Sequence, residues 1–223
     1  MEVVADARPS RPASFHKKGR GREGEKFRLV LDTARSVFLE YGYDRASMDL
    51  IAHEAGVSKA TVYAYFETKQ QLLFTLVQEE CKAVAPALLS PVVFPIQDIE
   101  DELRNIARNF TSIFLNNRGV EFYRLIISIV KQFPEVATIF MEAGPGHHQA
   151  EIAAFFNEAV QQGLLQIDDV NLAVKQFLGL VAADLPLTWL LAMRPDSLEQ
   201  YEALINSGVR LFLKYYGIDQ KRL

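Results

Sequence analysis

The chain has 223 residues, 49% of them apolar, a formal net charge of −4 and one cysteine, Cys81. That length holds one large domain or a small domain joined to a larger one. No apolar run is long enough to span a bilayer, so no membrane partner is expected; "MEVVADARPSRP" lacks the apolar stretch of a secretory signal, and a lone cysteine excludes an intrachain disulfide, which together predict a cytoplasmic setting.

Residues 1–22, rich in Pro, Gly, Ser and basic residues, read as a flexible arm. Arg8, Arg11, Lys17, Lys18, Arg20, Arg22, Lys26 and Arg28 face only Glu23 and Glu25 over 8–28. Residues 1–70 carry net +2 and 71–223 net −6, the footprint of a nucleic-acid-binding end on an acidic body. For the arm itself, charge leaves phosphate contact and idle solvation equally open.

From there the pattern is helical. Phe27, Val30, Leu31, Ala34, Val37, Phe38 and Tyr41 recur every three or four residues, giving a first helix with one apolar face, and Gly42 stands where a left-handed cap is wanted. Ser47 caps a short helix over 48–55, Gly56 breaks it, and Ser58 caps another over 59–66. Thr68 caps a fourth that begins at Lys69 and ends by Pro86 and "SPVVFP" (90–95), the clearest linker. Further helices are expected at 97–116, 119–132, 134–143, 145–163, 168–193 and 197–216. They are punctuated by Asn116–Asn117, Phe133–Pro134, Gly144–Pro145, Gly163 and Arg194–Pro195. Pro186 should kink the fifth of these. The fold class is therefore all-α. A helix-turn-helix domain is expected over 23–70 and a larger helical domain over 71–223.

Two short helices joined by a Gly turn behind a longer one describe the three-helix helix-turn-helix unit. Ala52, four residues before Gly56, is small where the helices touch. Val62 and Phe66 form the inward stripe of the second short helix, which turns Lys59, Ala60 and Tyr63 outward on one patch. Lys59 can read base edges, Ala60 permits close approach, and the hydroxyls of Thr61, Tyr63 and Tyr65 suit phosphate oxygens. Ser47 and Lys69 stand at helix N-termini, which favour phosphate.

"FLEYGYDRASMDLIAHEAGVSKATVYAYFETKQQLL" (38–73) resembles the DNA-binding domain of the TetR family of bacterial transcriptional regulators. The match runs through the "YGY" entry, "IAHEAGVSKATVYAYF" and "TKQQLL", and covers 27–75 tightly. The resemblance implies that Ser47, Met48, Lys59, Ala60, Thr61, Tyr63, Tyr65 and Lys69 fall on DNA-contact positions, with Ser58 at the cap beside them. "FYRLIISIVKQFPEVATIFMEAGPG" with "QFLGLVAADL" is similar, more loosely, to the regulatory half of AcrR/AefR-like members, which bind small molecules and dimerise.

Within that half, Phe110, Phe114, Phe140, Phe155, Phe177 and Trp189 are candidates for an apolar effector cavity. Arg124 and Asp184 are charged residues amid apolar neighbours that either mark the pocket or pair with each other or face solvent. Dimer contacts are expected from the last two long helices through Leu178, Leu185, Leu204, Val209 and Phe212, as an intersubunit four-helix bundle. His147, His148 and Glu151 have helical spacing for a shared metal, yet a hydrated first turn is the simpler reading and no metal is assigned. "GRGREG" (19–24) lacks the strand and Lys-Ser/Thr of a phosphate loop, and no nucleophile–base–acid set stands out, so no enzyme and no cofactor are expected. Cys81 reads as an inert helix residue.

The function expected is a ligand-responsive repressor that binds a near-palindromic double-stranded operator as a homodimer and is released by a small apolar or amphipathic effector. The alternatives are an effector-independent or activating regulator, or a small-molecule enzyme with a vestigial head.

Overall fold

The computed structural model describes residues 21–84, 95–114, 117–191 and 198–218. The arm up to residue 20, Pro86, all but the last residue of "SPVVFP", Asn116 and Arg194–Pro195 lie outside them. The described residues form eleven helices: α1 (Arg22–Arg45), α2 (Met48–Glu54), α3 (Lys59–Tyr65), α4 (Lys69–Val84), α5 (Ile99–Ser112), α6 (Asn117–Ile129), α7 (Glu135–Ala143), α8 (Pro145–Gln161), α9 (Val170–Ala182), α10 (Leu185–Leu190) and α11 (Leu198–Tyr216). Among them no strand forms; one isolated antiparallel bridge joins Leu165 to Gly217. The all-α expectation holds.

α1 begins earlier than its apolar stripe and runs on past Gly42, which bends it with φ 77° and ψ 161°. Ser47 and Ser58 cap α2 and α3 as expected, their hydroxyls accepting from the backbone N–H of Leu50 and Thr61 at 3.1 Å each. Gly56, at φ 62°, makes the turn between them, a conformation that costs a side-chain-bearing residue energy.

The long helix expected at 168–193 is two helices. A proline ring collides with the carbonyl four residues back, here Ala182, and α9 ends at that residue. Pro186 then sits in the first turn of α10, where its missing N–H costs nothing. Ala183 bridges the break at φ 43° and ψ −118°, strained backbone for an alanine. The proline therefore breaks the helix instead of kinking it.

Two apolar cores organise the chain. The first joins the helix-turn-helix residues Phe38, Ile51, Val62, Phe66 and Leu72 to Phe122, Leu125, Ile126 and Ile129 of α6 and Val136 of α7. The second packs α5, α8, α9 and α11 around Phe156, Phe177 and Phe212, whose rings lie 5.1–5.8 Å apart. α9 and α11 run antiparallel and cross where a Cβ on Gly208 would lie 2.9 Å from the Leu180 carbonyl oxygen. The Tyr216 hydroxyl donates to Gln176 Oε1 at 2.5 Å nearer the start of α9.

Candidate nucleic-acid interface

Packing of α3 decides what it can offer to a partner. Val62 and Phe66 are fully buried, with Phe66 stacked on Phe27 of α1 at 5.4 Å. Helical geometry then leaves Lys59, Ala60 and Tyr63 exposed on one outer patch, Tyr63 at 50%. Ser47 and Ser58 are exposed at its margins. Thr61 is half-buried, its hydroxyl 2.8 Å from Ser58 Oγ.

Three expected contact residues are engaged elsewhere. Met48 has its side chain in the core at 7% exposure, so only its backbone is available. The Tyr65 ring meets Phe27 edge-on at 5.7 Å, and its hydroxyl donates to the Glu23 carbonyl at 3.1 Å, so it fastens the start of α1 to α3. The Lys69 ammonium donates to the carbonyls of Tyr43 (2.7 Å), Ala46 (2.8 Å) and Asp44 (3.4 Å) and lies 4.2 Å above the Tyr43 ring. It caps the end of α1. Burial pulls its pKa below the ordinary lysine value, opposed by Asp44.

Asp49 was not among the expected residues, yet its Oδ2 stands 2.5 Å from Lys59 Nζ on the same outer surface. The two are ten residues apart, and only the α2–turn–α3 geometry brings them together.

In the larger half, four of the expected cavity residues join into one row of rings. Phe110 meets Phe114 at 5.3 Å, Phe114 meets Trp189 at 5.4 Å, Trp189 meets Tyr123 at 5.6 Å, and Tyr123 meets Phe140 at 5.4 Å. All five are half-buried, and the row crosses α5, α6, α7 and α10. Tyr123, in "FYRLIIS", completes it and was missed because its ring partners, Phe140 and Trp189, lie 17 and 66 residues away. The remaining candidates divide differently. Phe155 and Phe177 are sealed in the second core. Asp184 is exposed at the start of α10, so it is no buried charge. Arg124 is also exposed and donates through Nε and Nη2 to the Leu190 carbonyl at 2.9 and 2.8 Å.

A cavity of about 660 Å³ opens at the joint between the halves, lined by Arg35, Glu40 and Gly42 of α1 and Glu121, Arg124 and Ser128 of α6. Of the residues expected to line an effector cavity, Arg124 lines this one.

Of the expected dimer contacts, Leu185, Val209 and Phe212 are buried within their own chain, Val209 and Phe212 in the core shared with α5 and α8. Leu178 and Leu204 are half-buried. The large apolar residues left exposed nearby are Leu172, Leu187, Leu191, Leu211 and Tyr215, the last at 80%. Cys81 is buried, and burial pushes its thiol up to about 11, which keeps it protonated and unreactive at neutral pH. His147 and His148 lie 3.5 and 3.8 Å from Glu151 carboxylate oxygens, and among the described residues no group of three or more ligand-type side chains is placed to hold a metal. Nor is any helix there long and apolar enough to cross a membrane.

Comparison with known proteins accounts for both halves. Residues 30–76 match the model of bacterial regulatory proteins of the tetR family, and 101–218 that of the AefR-like transcriptional repressor C-terminal domain. The solved structure of the flavonoid-responsive regulator FrrA is 37% identical and superposes with a TM-score of 0.79, covering 87% of this chain and 98% of that one. A TetR-family transcriptional regulator from Mesorhizobium loti MAFF303099 is 26% identical at a TM-score of 0.74, over 89% of this chain and all of its own. The HTH-type transcriptional regulator YhgD of Bacillus subtilis (strain 168) is 25% identical over 143 residues, 63% of this chain and 70% of that protein. With an N-terminal helix-turn-helix and a larger helical half each matched by a model of the family, the chain belongs to the TetR family of DNA-binding transcriptional regulators.

Proposed function

We propose that the chain is a ligand-responsive repressor that binds a near-palindromic operator as a homodimer and leaves it when a flat aromatic effector enters the larger half. The observation that carries the DNA-binding part is the outward patch of α3, where Lys59, Ala60 and Tyr63 are exposed while Val62 and Phe66 hold the helix down. A second copy docks on the apolar residues of α9 to α11, Leu172, Leu211 and Tyr215 foremost, and two-fold protein symmetry then asks for two-fold symmetry in the DNA.

The ring row from Phe110 to Phe140 supports an aromatic effector, since edge-to-face rings present both faces and edges to a flat guest. The likeness to a flavonoid-responsive regulator narrows the class to flavonoid-like polycycles. Release requires that the effector bind one state better than the other.

Trp189 is the chain's one tryptophan and lies within the row, so it reports the event directly. Duplexes selected from a random pool would be titrated with flavonoid aglycones while tryptophan emission and DNA release are followed together. Saturable quenching that tracks release at matching concentrations is expected. Release without any change at Trp189, or quenching with DNA still bound, would reject the aromatic-row effector site.

A further inference from the structure

Lys59 is the one basic residue of α3, and its ammonium is held by a residue of α2. Lys59 Nζ lies 2.5 Å from Asp49 Oδ2, with 65% and 56% of the two side chains exposed. An exposed ion pair adds little to stability. The α2–α3 contact rests instead on buried Ile51, Ala52 and Val62, so holding the fold together does not account for the pair. Asp49 also places a carboxylate on the surface that the recognition helix presents, where phosphates repel it.

A free lysine is a poor base reader, because a flexible four-carbon stem carries a point charge with three rotating donors. Anchored to Asp49, one donor is committed and two remain for a partner. Two neighbouring acceptors, O6 and N7, are what guanine shows in the major groove; adenine shows N7 beside a donor. We propose that Asp49 is a specificity-determining residue: it fixes Lys59 as a guanine reader, and its own charge disfavours docking in any register where Lys59 meets only phosphate. The inference rests on the operator-binding reading above. It predicts a guanine within each operator half-site whose recognition depends on a side chain of the neighbouring helix.

The test uses the full chain and its Asp49→Asn, Lys59→Met and double variants, each checked for an unchanged melting temperature. Selection from a random duplex pool identifies the preferred site, and affinities are measured for that site, for single-base changes in it and for a scrambled duplex. The wild type should show one guanine per half-site whose replacement weakens binding ten-fold or more. Asp49→Asn should reduce that penalty to about three-fold or less while tightening binding to the scrambled duplex. Lys59→Met should also remove the penalty, and the double variant should lose no more than either single one, because the two side chains act as a unit. Three results overturn the proposal: a full guanine penalty in Asp49→Asn, equal tightening on every sequence with discrimination kept, or additive losses in the double variant. A wild-type chain that selects no sequence at all would overturn the operator-binding reading itself, and this inference with it.

Discussion

Replacing Lys69 by Met separates a cap from a DNA contact, because methionine keeps most of the apolar stem and removes the ammonium. Two short bonds to the Tyr43 and Ala46 carbonyls, a longer one to Asp44 and the Tyr43 ring 4.2 Å away all disappear. Hydrogen bonds from a charged donor are worth about 1.5–3 kcal/mol when buried. This site is only half-buried and water can take over the carbonyls, so a total near the lower end, about 2 kcal/mol, is expected. For a chain of this size that lowers the melting temperature by about 4–8 °C. The assay pairs thermal unfolding with DNA affinity measured from about 50 to 200 mM salt. A phosphate contact carries a salt slope of about 0.9, which its removal takes away. The cap reading predicts a lower melting temperature and an unchanged slope. An unchanged melting temperature with a slope shallower by about one would refute it and return Lys69 to the DNA surface.

Gly208→Ala should destabilise the chain by about 1–2 kcal/mol in chemical denaturation: the new methyl meets the Leu180 backbone at 2.9–3.0 Å and overpacking outweighs the helix propensity gained, whereas a neutral or stabilising effect would mean that α9 and α11 can part freely. Leu211→Glu should leave helical circular dichroism intact and convert a dimer to a monomer in analytical ultracentrifugation, while a dimer that persists would move the interface off this face. His148 is buried, which lowers its pKa below the ordinary value despite Glu151 nearby. Its neutral form is therefore the folded one, and the unfolded chain takes up the proton first as pH falls below about 6.5, so stability drops through that window. His148→Gln should lose less stability between pH 7.5 and 5.5 than the wild type, and equal urea-midpoint losses would show that His148 is not responsible.

What the sequence could disclose follows from how local each signal is. The caps at Ser47 and Ser58, the turn at Gly56 and the inward pair Val62 and Phe66 lie within a few residues of one another, and all were legible. The carbonyls that hold Lys69 were not legible, because they lie 23 to 26 residues away, at the end of α1. Tyr65 has a hydroxyl suited to phosphate but is partly turned toward α1, where Phe27 meets its ring and the Glu23 carbonyl accepts from its hydroxyl. Val209 and Phe212 were assigned to a partner because an apolar stripe does not say which neighbour covers it; α5 and α8 of the same chain do. The break at Ala183 was within reach, since counting four residues back from Pro186 identifies the Ala182 carbonyl as the one that a helix continuing through the proline would clash with and leave unpaired.

For the release proposed above, the arrangement of the cores sets the route by which an effector would reach the head. α6 belongs to the first core, so its buried face is packed on the helix-turn-helix. Just beyond its C-terminus, Phe133 lies edge-on to Tyr43 at 5.0 Å and to Phe74 at 6.3 Å, at the base of α1 and on α4. Near its N-terminus, Gly119 lies against the Trp189 ring, where an added Cβ would be 3.1 Å away, and Arg124 holds the last turn of α10 by the Leu190 carbonyl. Thirteen residues at 1.5 Å each make α6 a rod of about 20 Å, with Trp189 against its first turn and Phe133, just past its end, against Tyr43 and Phe74. Packed helices shift as units more readily than they deform. A displacement of Trp189 thus has a short rigid route to Tyr43, whose carbonyl is one of those Lys69 holds at the turn that leads into α2.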